Sequence, residues 1–264
     1  MITAVIVIYN ANFTEVCEAV DSFIADGGKH IVLADNKSTT NIIQELRGKY
    51  AGNSAVSLVA NGTNCGFGTG HNRGFAYLKA NNLLQKYHVI LNPDVKILPG
   101  CLGVLEKFMN ENPDISIAVP KIFNQDMTVQ YLNKEEPNLF DMFIRRFIPN
   151  CLQKWSILQN RYNRYIRMSV GYDNICEVPA ASGCFMFLSA DTFTKLGGFD
   201  EKIFLYMEDS DLSKRAWKYG RIMFNPNAKI VHAWKRASHT NWKMTVIFIQ
   251  SILYYFRKHG FKIL

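Results

Sequence analysis

The first 120 residues alternate short β-branched runs with helix-length stretches, and this alternation restricts the fold more than any other feature of the chain. Ile2–Ile8, His30–Ala34, Val56–Ala60, Tyr87–Leu91 and Ile115–Val119 read as strands. Between them Phe13–Ala25, Thr40–Tyr50, Gly70–Leu84 and Pro99–Asn110 read as helices, several opening after an Asn, Ser or Thr cap. Such spacing gives parallel strands joined by crossover helices. Uninterrupted apolar runs such as Val5-Ile6-Val7-Ile8 belong in a sheet covered on both faces. The expected fold class is therefore α/β with a mostly parallel central sheet. Ligands of such sheets sit beyond the carboxyl ends of the strands. Tyr9-Asn10, Asp35-Asn36-Lys37-Ser38, Asn61–Gly70 and Asn92-Pro93-Asp94 stand at those ends, and all are polar or Gly-rich.

The pattern breaks from Glu135 to Asp173, a stretch rich in aromatic and basic residues that includes Phe140, Arg145, Arg146, Phe147, Trp155, Arg161, Tyr162 and Arg164. It reads as an amphipathic insertion. Regular structure resumes at Val178–Leu188, with a turn at Gly197-Gly198, a helix over about 209–219, and short strands near Arg221–Phe224 and Lys229–His232. At the end, Trp242, Val246, Ile249, Leu253 and Phe256 recur at three and four and form one apolar helix stripe. Its apolar core is shorter than the roughly 20 residues a bilayer span requires. The N-terminus enters directly into a strand and lacks the marks of a signal peptide.

Six cysteines form no C-x-x-C pair and no Cys/His block, which argues against a zinc site or a disulfide framework and makes a reducing cytosol the expected compartment. The net charge of +8 is unevenly spread. The 53 residues after Asp211 hold eleven Lys or Arg and no Asp or Glu, leaving −3 for everything before them. Such asymmetry suits an anionic partner, either a membrane surface, a phosphorylated substrate or nucleic acid, although a basic surface can also be mere solvation. No nucleic-acid-binding module is recognisable.

Two acidic features can carry chemistry. Asn92-Pro93-Asp94 follows an apolar strand, and a carboxylate fixed there can hold a divalent cation against a diphosphate. A turn of this composition is also a common structural device. Glu208-Asp209-Ser210-Asp211 crowds three acids into four residues, which repel one another unless they cap a helix or serve a site. A carboxylate held there suits general base work. His232, at the end of an apolar strand, is either a structural histidine or a nitrogen ligand completing a metal site with Asp94. The Gly-rich segment Asn64–Gly74 allows close backbone approach to a ligand, or simply a tight turn, and it is not a P-loop.

Taken in order, Val7-Ile8-Tyr9-Asn10, Asp35-Asn36-x-Ser38, Asn64-x-Gly66-Phe67-Gly68-x-Gly70-x-Asn72-x-Gly74, Leu91-Asn92-Pro93-Asp94, Gly183-x-x-Met186-Phe187, Gly197-Gly198-Phe199-Asp200-Glu201, Phe204-x-Tyr206-x-Glu208-Asp209-x-Asp211-Leu212 and Val231-His232 resemble family 2 glycosyltransferases. The nearest branch is that of rhamnosyltransferase-like enzymes of bacterial surface polysaccharide assembly. The resemblance covers residues 1–235 and implies a GT-A fold with a Rossmann-like sheet, an inverting mechanism, and Mg²⁺ or Mn²⁺ as cofactor. It divides the chain into a transferase domain, 1–235, carrying the insertion at about 137–173, and a basic amphipathic helix, 236–264.

By position, the resemblance implies that Tyr9, Asn10, Asp35 and Asn36 surround the base and ribose. Asn64, Gly66, Phe67, Asn72 and Asn92 then shape the nucleotide-sugar pocket. Asp94 binds the metal with His232 as second ligand, and Asp209 is the general base. Glu208, Asp211, Tyr206 and Gly183 support it or orient the acceptor. The D-x-D motif common in the family is here Asn92-Pro93-Asp94, which keeps one carboxylate, as is usual in this branch. The implied donor is dTDP-rhamnose, ahead of a UDP-sugar. The implied acceptor is a polyprenyl-diphosphate-linked sugar at the cytoplasmic face of the cell membrane. There the aromatic–basic insertion and the terminal helix would rest on the lipid, unless that helix packs on the core. The rival readings are a nucleotidyltransferase making nucleotide sugars and a catalytically degenerate sugar-binding scaffold. The first wants a basic Gly-rich loop after strand one, where this chain has Tyr9-Asn10-Ala11-Asn12.

Overall fold

A computed structural model describes residues 1–147, 155–233 and 242–262. Strands β1 (Ile2–Ile8), β2 (His30–Asp35), β3 (Val56–Ala60) and β4 (Tyr87–Leu91) lie where periodicity put them. They pair in parallel in the order β3-β2-β1-β4. Helices α1 (Phe13–Ala25), α2 (Ile42–Lys49) and α3 (Phe67–Ala80) form the crossovers. Asn12 starts α1, its side-chain oxygen accepting from the Glu15 N–H at 3.1 Å. Next come the short strand β5 (Val95–Ile97), helix α4 (Cys101–Glu111) and β6 (Ile115–Phe123).

The second half of the sheet mixes directions. β8 (Phe185–Ser189) runs antiparallel between β4 and β6, and β9 (Arg221–His232) runs parallel to β6. β5 and the two-residue β7 (Cys176–Glu177) flank β9 antiparallel. The two short strands expected near 221–224 and 229–232 are one strand. The β6–β9 register jumps from Pro120↔Asn225 to Lys121↔Lys229, so Pro226, which has no N–H for a ladder, lies in a bulge. Because β9 runs with β6, His232 ends at the same sheet edge as Leu91. That edge also receives the start of β8.

Apolar layers cover both faces, as the continuous apolar strands require. One holds Phe23 of α1, Leu46 of α2 and Leu105 of α4. The other holds Phe75 of α3, Phe193 of α7 (Ala190–Lys195) and Leu212 of α8 (Glu208–Ala216). Burying one Phe or Leu side chain stabilises by about 2–3 kcal/mol.

The insertion contributes α5 (Leu139–Phe147) and α6 (Ser156–Tyr165), and the chain ends in α9 (Trp242–His259). The side chains expected on the insertion at Arg145, Arg146 and Phe147, and the boundary drawn at 235/236, lie outside the described residues. Met142, Tyr165, Ile166, Met207, Tyr255 and Phe256 form a third apolar cluster that seats α9 on the body. The stripe read from the sequence is mostly not the packed face. Trp242, Ile249 and Leu253 are exposed, whereas Ser251, Tyr255 and Phe256 are buried. The helix carries apolar residues on two sides, and spacing alone selected the outer one. Among the described residues, no helix is long and apolar enough to cross a membrane.

Candidate active site

The carboxyl edge of β1–β4 gathers most of the residues singled out above, though they do different work. Asp35 is buried at the end of β2 and accepts from the Ser38 N–H at 3.0 Å. Asn10, in left-handed backbone at φ 51°, accepts from the Thr39 N–H at 2.8 Å, so the loops after β1 and β2 brace each other. Tyr9 is half exposed beside them.

Asn36 is almost wholly buried and its amide is fully engaged. It donates to Gly66 O at 2.9 Å and accepts from Asn61 Nδ2 at 2.8 Å, fastening the loop before α3 to the end of β2. Asn64 turns its oxygen onto the Gly66 N–H at 3.2 Å. Asn72 accepts from the Phe199 N–H at 2.8 Å and donates to Phe199 O and Glu201, tying α3 to the Gly197-Gly198 turn. Asn36 and Asn72 thus hold the walls of the edge together.

Gly66 is where the Gly-rich segment meets the acidic one. Its φ of 84° and ψ of 175° suit only glycine, and a Cβ there would lie 2.2 Å from Phe204 O. That close approach lets the Phe67 N–H donate to Phe204 O at 3.0 Å. After Phe204 the chain passes through Tyr206 and Met207, both non-glycine residues in left-handed backbone at φ 67° and 66°, and enters α8. Two such residues in succession persist only where packing over-determines them. α9 supplies that packing. Ser251 Oγ donates to Leu205 O at 2.7 Å, Tyr206 meets Phe248 edge-on, and Met207 shares a buried apolar cluster with Tyr255 and Phe256.

The three acids of α8 diverge. Asp209 points to the sheet edge, one oxygen accepting from the Ser210 N–H at 2.7 Å and the other from the Gly183 N–H at 3.3 Å. A Cβ on Gly183 would come within 3.3 Å of the Asp209 Cβ, so glycine permits the approach. The same loop is laced to α8 a second time, by the Ala181 N–H donating to Ser213 Oγ at 3.0 Å. Asp211 points the other way, is fully buried, and meets Arg215 Nε at 2.8 Å, Lys258 Nζ at 2.7 Å and His259 Nε2 at 2.7 Å. Burial acts to raise its pKa, but the hydrogen bonds from Lys258 and His259 and the Arg215 charge outweigh burial and hold it below the usual carboxylate range. Glu208 is buried with Oε2 unpartnered. Burial first, and then the Asp209 charge, push its carboxyl well above the usual range, against the opposing pull of Lys134. Sequence reading did not single out Lys134.

Asp94 and His232 come together across 138 residues because β5 pairs with β9, with Val95 opposite His232 and the Ala233 N–H donating to Asp94 O at 2.9 Å. His232 Nε2 faces Asp94 Oδ1 at 3.4 Å, an ion-pair separation longer than an ordinary hydrogen bond. Both atoms are buried and have no hydrogen-bond partner. Burial raises the Asp94 pKa, but neighbouring His232 and Asn92 bring it below the ordinary value. An imidazole nitrogen and a carboxylate oxygen, both orphaned and converging, form a donor pair that fits Mg²⁺ or Mn²⁺. Among the described residues no third His, Cys, Asp or Glu joins them. A small cation there would complete its shell with water and phosphate oxygens, as Mg²⁺ commonly does.

The two acidic features share one neighbourhood. The Asn92 N–H donates to Cys184 O at 2.9 Å, and the next residue back is the Gly183 that meets Asp209. Burial pushes the Cys184 thiol up to about 12, and the charges of both Asp94 and Asp209 act on it in the same direction. A carboxylate–imidazole pair suited to a cation therefore stands near a second carboxylate on a helix N-terminus, with the Gly-rich loop alongside.

Comparison with known proteins identifies the family. Residues 3–193 match the family model for glycosyl transferase family 2. The N-acetylglucosaminyl-diphospho-decaprenol L-rhamnosyltransferase of Mycobacterium tuberculosis (strain CDC 1551 / Oshkosh) is 29% identical over 213 residues, covering 76% of this chain. This chain spans 66% of that protein's length, just under two thirds. Rhamnosyltransferase WbbL of Escherichia coli (strain K12) is 25% identical over 207 residues, covering 76% of this chain and 72% of its own. The mannosyltransferase PcManGT from Pyrobaculum calidifontis, solved with GDP-Man and Mn²⁺, superposes with a TM-score of 0.62 at 16% identity. That alignment covers 98% of this chain and 63% of that one. At this identity the likeness speaks to the fold alone, the GT-A architecture expected from the sequence. The chain belongs to glycosyl transferase family 2, with relatives in its rhamnosyltransferase-like branch.

Proposed function

We propose that the protein is an inverting, metal-dependent glycosyltransferase that moves a sugar, L-rhamnose from dTDP-rhamnose, to a polyprenyl-diphosphate-linked acceptor in surface polysaccharide synthesis. The observation that carries this reading is the convergence of the orphaned Asp94 Oδ1 and His232 Nε2 near Asp209 at one sheet edge. The names of the mycobacterial and Escherichia coli relatives support the choice of sugar, and the former supports the acceptor.

In this reading Asp35, Tyr9 and Asn10 hold the base and ribose, and the Gly66–Phe67 turn lies along the donor sugar. Asn64 and Asn92 shape the pocket, while Asn36 and Asn72 keep its walls in place. Asp94 and His232 hold a divalent cation, which when bound offsets the charge gathering on the departing diphosphate. Asp209 takes the proton from the acceptor hydroxyl as that oxygen attacks the anomeric carbon from the face opposite the diphosphate. The hydrogen bonds from Gly183 and Ser210 orient Asp209 for this step. Glu208, kept neutral by burial, adds no second negative charge beside the base. Residues 1–235 form the transferase domain, and the C-terminal helix beyond it holds the turn that aims α8.

The same reading places the enzyme on the inner face of the cell membrane. Exposed Trp242, Ile249 and Leu253 on α9, with Trp155 and Ile157 at the start of α6, supply apolar contacts among basic residues. Sedimentation with anionic vesicles, lost on Trp242→Glu with Ile249→Glu, is the expected behaviour, and failure of the native chain to bind would remove the membrane from the account. The substrate is tested by screening nucleotide sugars for Mn²⁺-dependent hydrolysis and thermal stabilisation. Stabilisation and hydrolysis confined to dTDP-rhamnose are expected; a UDP-sugar as the only active donor would overturn the choice of sugar, and no active donor would overturn the reading.

A further inference from the structure

A buried amide ties His232 to the hairpin that follows β6. His232 Nδ1 lies 2.7 Å from Gln130 Oε1, and Gln130 is itself buried. Gln130 Nε2 lies 2.7 Å from Asn124 Oδ1, Asn124 Nδ2 lies 2.9 Å from Thr128 Oγ1, and Thr128 Oγ1 lies 2.6 Å from Asp126 Oδ1. The backbone fixes this spacing, since the Asn124 N–H donates to Thr128 O and the Gln130 N–H donates to Ile122 O. β6 pairs beside β9, which brings the hairpin against His232.

The chain of contacts has only one consistent direction. A carboxylate accepts and cannot donate, so the Thr128 hydroxyl gives its only proton to Asp126. Thr128 Oγ1 must then accept from the Asn124 amide N–H, which turns Asn124 Oδ1 toward Gln130. Gln130 donates to that oxygen and presents Oε1 to the imidazole. His232 must therefore donate from Nδ1, and in the neutral ring this leaves Nε2 as a bare lone pair. Nε2 is the atom that faces Asp94 Oδ1 at 3.4 Å with no bond between them. The opposite tautomer would require two amides to flip and the Thr128 proton to leave the carboxylate.

We propose that Gln130 is a positioning residue, and that the sequence Asp126–Thr128–Asn124–Gln130 fixes His232 in the Nδ1–H tautomer so that Nε2 is available to a divalent cation. The cation rests on the function proposed above, but the tautomer does not. Partners of this kind are generally worth 10–100-fold in metal affinity. No single motif in the sequence carries the arrangement, because it joins a hairpin to a strand end 102 residues later.

The direct test is the ¹⁵N and ¹³C spectrum of the His232 ring in the metal-free protein at pH 8, its signals identified by their loss in His232→Gln. The Nδ1–H form is expected, and an Nε2–H ring overturns the inference. Mn²⁺ titrations followed by electron paramagnetic resonance provide the second readout. Gln130→Met should weaken Mn²⁺ binding by about tenfold. Thr128→Val, at an exposed site, should mix the tautomers and weaken Mn²⁺ severalfold with little change in melting temperature, while Thr128→Ser restores both. A single unchanged tautomer and unchanged Mn²⁺ affinity in Thr128→Val would show that the hairpin does not set the ring. An Nδ1–H ring in a protein that binds no Mn²⁺ would uphold the tautomer and defeat the metal reading.

Discussion

Lys258→Ala tests whether the C-terminal helix is part of the catalytic architecture. Lys258 Nζ lies 2.6 Å from Asp200 Oδ2 and 2.7 Å from Asp211 Oδ1, and the Asp211 side chain has 0% exposure. Removing one partner of a buried ion pair costs about 3–5 kcal/mol when the remaining charge is left uncompensated. Asp211 keeps Arg215 and His259, and Asp200 keeps the Tyr254 hydroxyl, so roughly a third of that loss, about 1–2 kcal/mol, is expected. For a chain of this size that lowers the melting temperature by about 3–6 °C. The dependence on pH has a definite sign. Asp211 has a depressed pKa, so its contribution is present above the unfolded carboxylate range and is lost as pH falls through the native value. The gap between native and variant should be full at pH 7 and close in acid. Because α9 steadies the Tyr206–Met207 turn at the head of α8, kcat should fall severalfold with donor KM little changed. Thermal unfolding over a pH series and steady-state kinetics measure both. An unchanged melting temperature at pH 7, or a loss confined to donor KM, would refute the reasoning.

Three further perturbations follow from the site. Gly66→Ala forces a Cβ toward Phe204 O and into a backbone region that costs about 1–3 kcal/mol, so a lower melting temperature and at least tenfold lower kcat/KM are expected; normal kinetics would contradict the close approach. Glu208→Gln removes a group that holds its proton in the native state above the pH, about 4.3, at which the unfolded chain releases it. Native stability therefore declines as pH rises from that range toward neutrality, and the variant should gain on the native chain from pH 5 to 8; parallel melting profiles would exclude it. Asp94→Ala should weaken Mn²⁺-dependent dTDP binding at least tenfold by calorimetry while leaving the metal-free signal unchanged, and equal losses with and without metal would count against a cation at Asp94.

Much of the fold is legible from periodicity, since strands β1 to β4 and their crossover helices need only local pattern and capping. The second half is less so, because the direction of β8 and the pairing of β5 with β9 are decided by packing between residues distant in the chain. Residue type marked the places of Asp94, Asp209 and His232, but not what surrounds them. Asn36 and Asn72 look like ligand contacts in a motif, yet their amides are taken up by Gly66 and Phe199. Gln130 and Lys134 carry no motif and become visible only when the hairpin after β6 is folded against β9 and α8. The terminal helix has apolar residues on two faces, and a spacing rule cannot tell which is packed. Its inward face is set by Met207 and the buried Asp211, elsewhere in the sequence.

The measurement closest to the central claim is transfer by Asp209→Asn with the active donor and acceptor, alongside nucleotide binding. Loss of a general base lowers kcat by about 10²–10⁴-fold. An isosteric amide keeps the shorter Ser210 contact through its single oxygen and gives up the 3.3 Å contact to the Gly183 N–H, and dTDP affinity should stay within about twofold if the base acts only on the acceptor. Lost turnover with intact nucleotide binding is the predicted result. Turnover near that of the native enzyme would contradict the assignment of Asp209 and, with it, the mechanism.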